Sequence, residues 1–188
     1  MKWNNIKPDI LASNISRMTT GWSFIDIVGL VNQTADYPLI IIPDRVYNSI
    51  IQHLNSKKVE LGGLLVGSVV STNDLTEGLI AIVIRESIPS NNFEATSVSL
   101  TMQPDVWQSA SQISDTETFV VGWYHSHPNL GAFFSGVDRK TQKDFFNSAY
   151  SLGLVIDPVR HEEKWFIGAE SAEINSDNIK TCFGDLSI

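Results

Sequence analysis

The amino-acid sequence predicts an α/β (α+β) fold with a central mixed β-sheet, and three observations support this class. Apolar runs of strand length alternate with segments of helical periodicity along the chain. The 188 residues are most simply one domain, long enough to bury a sizeable core. The composition, with 43% hydrophobic and 18% charged residues, is that of an ordinary globular protein.

The first half of the chain contains three predicted strands and one predicted helix. Residues 37–42 form a short apolar run that indicates a strand, and Pro43 and Asp44 then open a helix with apolar residues at helical spacing. Residues 61–70 form an apolar run with three glycines, which predicts a buried strand that another group approaches closely. Residues 79–84 predict a second buried strand.

The second half of the chain alternates in the same way. Residues 87–92 predict a loop, and residues 96–102 alternate in the manner of an edge strand. A helix is expected to begin at Pro104. Residues 119–124 predict a strand, and residues 136–152 predict a further helix.

Two short strands, residues 154–156 and 165–167, are expected to complete the sheet. The sequence that follows is polar and irregular, and the first part of the chain has no clear periodicity. We therefore expect an N-terminal extension (residues 1–35), a central domain (residues 36–170) and a C-terminal tail (residues 171–188). The apolar residues of the extension are expected to pack on the core or against a partner.

Charge and cysteine content restrict the function. The net charge of −8 argues against a nucleic-acid-binding surface and permits a basic protein partner. Cys182 is the only cysteine, which excludes an intrachain disulfide and a cysteine-rich metal site and suits a reducing compartment. The N-terminus has no apolar signal-peptide region, and no apolar run reaches membrane-spanning length. The sequence therefore predicts a cytoplasmic protein.

Two histidines and one aspartate stand at spacings that suit a metal site. His125 and His127 are two residues apart at a strand, so both side chains point to the same side. Ser135 and Asp138 are three residues apart at the start of a helix and share a face. Two imidazoles and one carboxylate leave the fourth position of a tetrahedral zinc ion open for water, as in catalytic sites. A His-x-His pair alone is a weak sign, but the combination predicts zinc binding.

Ser135 and Asp138 also fit a second interpretation. A serine followed three residues later by an acid resembles a helix capping box, although Glu or Gln is the usual partner. Ser135 can cap a helix and still face the site. The two roles conflict for Asp138, because its carboxylate is not expected to serve both a backbone amide and a metal ion.

Hydrolysis at such a zinc ion needs a group that takes the proton of water and returns it to the leaving group. Glu60 is the first candidate, since it stands directly before the long uncharged run. It is equally compatible with a solvated residue that follows two lysines. Glu86, Glu94 and Asp115 are rivals that spacing alone does not eliminate.

Three segments together resemble the JAMM (MPN-plus) family of metalloproteases. They are residues 60–67 (ELGGLLVG), residues 121–128 (VGWYHSHP) and residues 135–138 (SGVD). The likeness extends through Thr141-Gln142 and the strand end Val155-Ile156-Asp157-Pro158. It covers roughly residues 37–169, and the combined motif is specific.

The resemblance implies a fold and an activity. The family fold is a curved mixed sheet flanked by helices, related to that of cytidine deaminases. Its enzymes hydrolyse the isopeptide or peptide bond after the C-terminal glycine of ubiquitin or a ubiquitin-like protein. Carried over by position, His125, His127 and Asp138 bind zinc. Glu60 is then the general acid/base, and Ser135 helps to hold the oxyanion of the tetrahedral intermediate.

The resemblance also suggests a substrate site and a setting. Residues 87–102 match a segment that in this family often adds a strand to the modifier's extended C-terminal tail. Residues 157–163 are too few for the insertion with which some members contact lysine-linked ubiquitin. A small chain of this kind looks like a prokaryotic stand-alone member, which acts in bacterial ubiquitin-like conjugation or antiphage defence.

Two alternatives stay open. One is a peptidase that matures a carrier protein of sulfur transfer, and the other is a non-catalytic MPN scaffold that binds partners. The intact motif argues against the scaffold. A zinc nucleoside deaminase of the related fold would need a Cys-x-x-Cys pair, which the single Cys182 excludes.

Overall fold

The computed structural model describes residues 10–15, 23–34, 36–75, 77–90, 93–96, 99–102 and 104–182. The helices in these ranges are α1 (Phe24–Gln33), α2 (Asp44–Leu54), α3 (Pro104–Ile113) and α4 (Gly136–Phe145). The strands are β1 (Ser13–Asn14), β2 (Leu39–Pro43), β3 (Gly62–Ser71), β4 (Leu79–Pro89), β5 (Phe93–Thr96), β6 (Ser99–Met102), β7 (Phe119–Ser126), β8 (Leu152–Asp157), β9 (Glu162–Ile167), β10 (Ala172–Ile174) and β11 (Ile179–Cys182). A 3₁₀ turn, Ser176–Asn178, precedes the last strand.

The main sheet is mixed and strongly curled, which confirms the expected fold class. Its strand order is β10-β9-β8-β7-β3-β4-β2-β11, and β1 pairs in parallel with β3. Strand β3 lies between β4 and β7 and is antiparallel to both. Strands β7 and β8 are parallel, and the connection between them contains α4. This crossover carries the helix over the end of β7, where the histidine pair is located.

Several predicted elements have different limits in the structure. The loop expected at residues 87–92 begins later, because β4 pairs with β3 as far as Pro89, whose missing N–H costs nothing at a strand end. The helix expected over residues 136–152 ends at Phe145, because Leu152 already pairs with Gly122 in the sheet. The segment expected as one edge strand is instead part of a hairpin, in which β5 and β6 form a sheet of their own.

The sheet also includes residues that the sequence assigns to the two terminal segments. Strand β11 pairs in parallel with β2, and β10 pairs with β9. The side chain of Asn178 donates to the backbone oxygen of Tyr37 (2.9 Å), which fixes the approach of β11. Backbone pairing of this kind needs no regular side-chain pattern, so hydrophobic periodicity gives little sign of it.

Both faces of the main sheet are covered. Along β3, Leu65 and Val69 pack into one core cluster together with α2. Leu64 and Val66 pack into a second cluster together with α3. Since alternate residues of a strand point to opposite faces, a strand covered on both sides is apolar throughout, as the run at 61–70 is. In the described ranges, no helix has the length and apolarity needed to cross a membrane.

Gly63 confirms the close approach that the glycines of this run predict. A methyl group at this position would overlap the carbonyl oxygen of Ile88 and lie 2.7 Å from the hydroxyl oxygen of Tyr124. The neighbouring strand and the tyrosine side chain can therefore reach these positions only because residue 63 has no Cβ.

We predict that Gly63→Ala lowers the free energy of unfolding by about 1–3 kcal/mol, the usual cost of overpacking. Gly29→Ala is the control, because a Cβ at Gly29 meets nothing within 4 Å and alanine favours a helix. Urea denaturation measures both. Equal stability of Gly63→Ala and the wild type would contradict the close approach.

Candidate metal centre

The end of β7 and the start of α4 bring the predicted metal ligands together. His125 is the penultimate residue of β7, and His127 follows its end. The amide of His127 still donates to the carbonyl oxygen of Ile156 in β8 (2.9 Å), so its backbone stays aligned with the sheet. Asp138 lies in the first turn of α4. All three side chains are buried, with relative exposures of 0% for His125, 4% for His127 and 1% for Asp138.

The donor atoms of these side chains form a small triangle. The Nε2 atoms of His125 and His127 are 3.2 Å apart. In Asp138, Oδ1 lies 3.3 Å from Nε2 of His125, and Oδ2 lies 3.5 Å from Nε2 of His127. Tetrahedral zinc with bonds of about 2.0–2.1 Å separates its ligand atoms by about 3.3–3.4 Å. The residues therefore fit a zinc-sized ion. Within the described ranges, they are the one group of at least three His, Cys, Asp or Glu side chains whose donor atoms are close enough to hold a metal ion.

Asp138 forms the capping box and also lies in the candidate metal group, so its geometry is compatible with both of the roles that we expected to conflict. Its Oδ2 atom accepts a hydrogen bond from the amide of Ser135 (2.6 Å), while Oδ1 faces His125. The Oγ atom of Ser135 in turn accepts from the amide of Asp138 (3.2 Å), which completes a capping box. A carboxylate has two oxygens, so one can fix the helix start while the other remains available to an ion.

Burial and neighbouring charge tune the ligand side chains. Burial alone would raise the pKa of Asp138, but hydrogen bonds from His125 and Ser135 and the charge of His125 hold this pKa at about 2. Burial and the nearby His125 lower the pKa of His127. Both shifts favour the unprotonated forms that bind metal, a carboxylate and a neutral imidazole.

The strand register places Glu60 beside this cluster. Gly62 pairs with His125 across the β3–β7 ladder. Just before it, the amide of Leu61 donates to Oγ of Ser126 (3.1 Å), and the amide of Ser126 donates to the carbonyl oxygen of Leu61 (2.8 Å). Glu60 is partly buried, and burial raises the pKa of its carboxyl group, on which the charges of His127 and Asp138 also act.

Two of the rival acids are engaged elsewhere. Glu86 is exposed and pairs with Arg45 (3.0 Å). Asp115 accepts hydrogen bonds from the amides of Glu117 and Thr118 in a turn. The side chain of Glu94 lies outside the described residues. The geometry thus favours Glu60 among the acids whose side chains the structure describes.

Sequence reasoning missed the side chains that support His125. The indole ring of Trp123 stacks on its imidazole, with ring centroids 4.6 Å apart and an interplanar angle of 7°. Nε1 of Trp123 donates to the side-chain oxygen of Gln142 in α4 (2.6 Å), and both side chains are fully buried. The signal was present, because Trp123 precedes His125 by two residues and Gln142 follows Asp138 by four, so each shares a face with a ligand.

Comparison with known proteins gives one family match and several relatives. The sequence profile described as "JAB1/Mov34/MPN/PAD-1 ubiquitin protease" matches residues 37–149. The ubiquitin carboxyl-terminal hydrolase RPN11 of Saccharomyces cerevisiae is 33% identical over 107 residues, which cover 54% of this chain and 32% of that protein. The COP9 signalosome complex subunit 5a of Arabidopsis thaliana is 35% identical over 112 residues, which cover 54% and 28%.

A third relative, the 26S proteasome non-ATPase regulatory subunit 14 of Drosophila melanogaster, is 31% identical over 137 residues (66% of this chain, 42% of that protein). This chain therefore spans less than half the length of the curated relatives that it matches. Among solved structures, the protein DSY2949 of Desulfitobacterium hafniense has a similar fold, with a TM-score of 0.59 and 18% identity. The match covers 78% of this chain and 94% of that one.

We predict that His127→Ala lowers zinc affinity by more than about 100-fold, beyond the usual cost of losing a residue that only supports a ligand. Asp138→Asn should do the same while it keeps an acceptor for the amide of Ser135. The control is His161→Asn in an exposed turn, since asparagine tolerates its φ of 57°. Equilibrium dialysis against zinc measures each variant. Zinc affinity of wild-type strength in the first two variants would refute the ligand set.

Proposed function

The chain belongs to the JAB1/Mov34/MPN/PAD-1 ubiquitin protease family, and we propose that it is a zinc-dependent isopeptidase or peptidase. Its substrate in this proposal is the bond after the C-terminal glycine of a ubiquitin-like protein. The observation that carries the proposal is the buried triangle of His125, His127 and Asp138 with Glu60 at its edge. A metal site beside a carboxylate that does not bind the metal is an arrangement that suits hydrolysis, since the carboxylate can transfer protons.

His125, His127 and Asp138 hold the zinc ion in this proposal. When bound, zinc supplies Lewis acidity, which makes water more acidic and polarises a carbonyl group. The protein orients two of the three ligands in advance. The indole of Trp123 stacks on His125, and the capping box fixes Asp138. Three protein ligands leave room for the reacting groups.

Glu60 is the proposed general acid/base. Its carboxylate takes a proton from the attacking water and returns it to the nitrogen of the leaving amine. Burial raises its pKa, which makes the carboxyl group a better proton acceptor than an exposed glutamate. The two hydrogen bonds between Leu61 and Ser126 hold the adjacent backbone, so the carboxylate keeps its place relative to His127.

Ser135 is the proposed donor to the oxyanion that develops on the scissile carbonyl. Its Oγ atom accepts a hydrogen bond from the amide of Asp138 (3.2 Å), and its hydroxyl group lies beside the carboxylate of the same residue. A hydroxyl group donates one proton at a time, so in this proposal that proton turns from the carboxylate to the oxyanion. The residue caps α4, and the positive end of the helix dipole also favours negative charge there.

We propose that the hairpin of β5 and β6 binds the C-terminal tail of the ubiquitin-like protein. It belongs to residues 87–102, has edges not used by the main sheet, and packs beside α4. An extended tail could add a strand to it and lead its final glycine to the metal centre. The proposed setting is bacterial ubiquitin-like conjugation or defence in the cytoplasm. Maturation of a sulfur-transfer carrier protein uses the same chemistry on a linear peptide bond.

The activity is tested with fusions of ubiquitin-like proteins from the same genome to a reporter, with and without a chelator. A cleaved lysine-linked conjugate supports deconjugation, and cleavage of linear fusions alone supports precursor processing. The alternative of a non-catalytic scaffold predicts binding of such proteins without cleavage.

Glu60→Gln is expected to keep zinc and lose turnover by about 10²–10⁴-fold, because glutamine cannot accept the proton. Glu86→Gln is the matched control, the same change on an exposed acid that pairs with Arg45. Single-turnover cleavage of a fusion and zinc content are measured on the same samples. A Glu60→Gln variant as fast as Glu86→Gln would remove Glu60 from the mechanism.

Ser135→Gly separates capping from catalysis, since glycine caps a helix almost as well as serine whereas alanine costs about 1 kcal/mol. We expect both Ser135→Gly and Ser135→Ala to lower kcat by about 10²–10³-fold, and only alanine to lower thermal stability clearly. Normal kcat in Ser135→Gly would show that Ser135 acts only as a cap.

A further inference from the structure

One loop, residues 128–134, joins His127 to Ser135 and so links the two halves of the metal centre. Its backbone contains two left-handed positions, Asn129 (φ 62°) and Gly131 (φ 93°). Such a path is not stabilised by regular secondary structure and needs hydrogen bonds from outside the loop. The loop shape therefore depends on what surrounds it.

Asp157, the last residue of β8, supplies these hydrogen bonds from a fully buried carboxylate. It accepts from the amides of Asn129 (2.9 Å) and Gly131 (2.7 Å) in the loop. It also accepts from the amides of Val159 (2.9 Å) and Arg160 (3.2 Å) in its own turn. Burial would raise the pKa of Asp157, but these four amide donors hold its pKa at about 2.

Residues just after β8 make two further hydrogen bonds to the same loop. A guanidinium nitrogen of Arg160 donates to the carbonyl oxygen of Asn129 (3.0 Å). Oε2 of Glu162 accepts from the amide of Ala132 (3.3 Å). The loop is thus tied along its length to the β8–β9 connection, a part of the chain that supplies none of the proposed metal ligands.

We propose that Asp157 is a positioning residue for the reaction, which fixes the loop so that Ser135 and His127 keep their relative placement before substrate binds. The inference rests on the proposed function of Ser135 as oxyanion donor. A loop free to move at Gly131 would displace the residues that follow it, as far as Ser135. The loss would then fall on the transition state more than on substrate binding.

The two oxygens of Asp157 have different tasks, which gives a sharp test. Oδ1 accepts from Asn129 and from the turn amides, whereas Oδ2 accepts from Gly131 and lies 3.6 Å from Nε of Arg160. Asp157→Asn keeps an oxygen at Oδ1 and places an NH₂ group against the amide of Gly131. This variant should release the loop at Gly131 and preserve the turn.

The first readout is amide hydrogen exchange by NMR on the full chain, without and with zinc. In Asp157→Asn the Gly131 amide should exchange about tenfold faster or more, since it loses a bond to a charged group, while the Val159 and Arg160 amides stay protected. The control is Asp177→Asn, the same change on an exposed side chain. If the Gly131 amide of Asp157→Asn exchanged at the wild-type rate, Asp157 would not hold the loop. This result would overturn the proposal whether or not the protein is an active peptidase.

The second readout is steady-state cleavage of a fusion that the wild type cuts. We expect kcat to fall about 10- to 100-fold, with KM within about threefold and zinc content unchanged. If Asp157→Asn does not fold, Arg160→Ala should raise exchange at the loop and lower kcat in the same direction. Faster exchange with an unchanged kcat, or a loss confined to KM, would overturn the positioning role. Failure of the proposed function is distinguishable, because the wild type would then cut no fusion.

Discussion

Two imidazole nitrogens and the carboxylate group of one aspartate converge inside the protein. The nitrogens are 3.2 Å apart, and each lies within 3.5 Å of one carboxylate oxygen. The surrounding fold holds these groups together. Burying two imidazoles and a carboxylate together costs free energy unless these polar groups find partners. Such a cluster is stable where rigid neighbouring elements hold its side chains in place and the binding of an ion offsets the cost of burying them. Here the parallel pair β7–β8 and the crossover helix α4 hold the side chains.

Support reaches the cluster from two sides. Behind it, Trp123 stacks on His125 and is tied to α4 through Gln142, so that strand and helix share one hydrogen bond. In front of it, Asp157 holds the loop that runs from His127 to Ser135. Each of these supports lies outside the triangle, and each limits how far a ligand can move. In a preorganised site of this kind, little free energy is needed to rearrange the side chains during a reaction.

Much of the site could be predicted from local spacing. The i, i+2 period of a strand places His125 with His127, and the i, i+3 period of a helix places Ser135 with Asp138. Long-range pairing could not be predicted in this way. Glu60 lies near His127 because Gly62 pairs with His125, and this register is set by the strand ladder. The sequence suggested two roles for Asp138 but not that one geometry is compatible with both, because residue identity does not tell which oxygen faces which partner. The strand β11 was missed because it joins the sheet through backbone pairing.

A crystal structure of the protein grown with zinc, with anomalous diffraction recorded at the zinc edge, tests the central claim most directly. We predict one strong anomalous peak among His125, His127 and Asp138, at about 2.0–2.2 Å from two nitrogens and one oxygen. Side chains that point apart, or a zinc peak located elsewhere with this triangle empty, would contradict it.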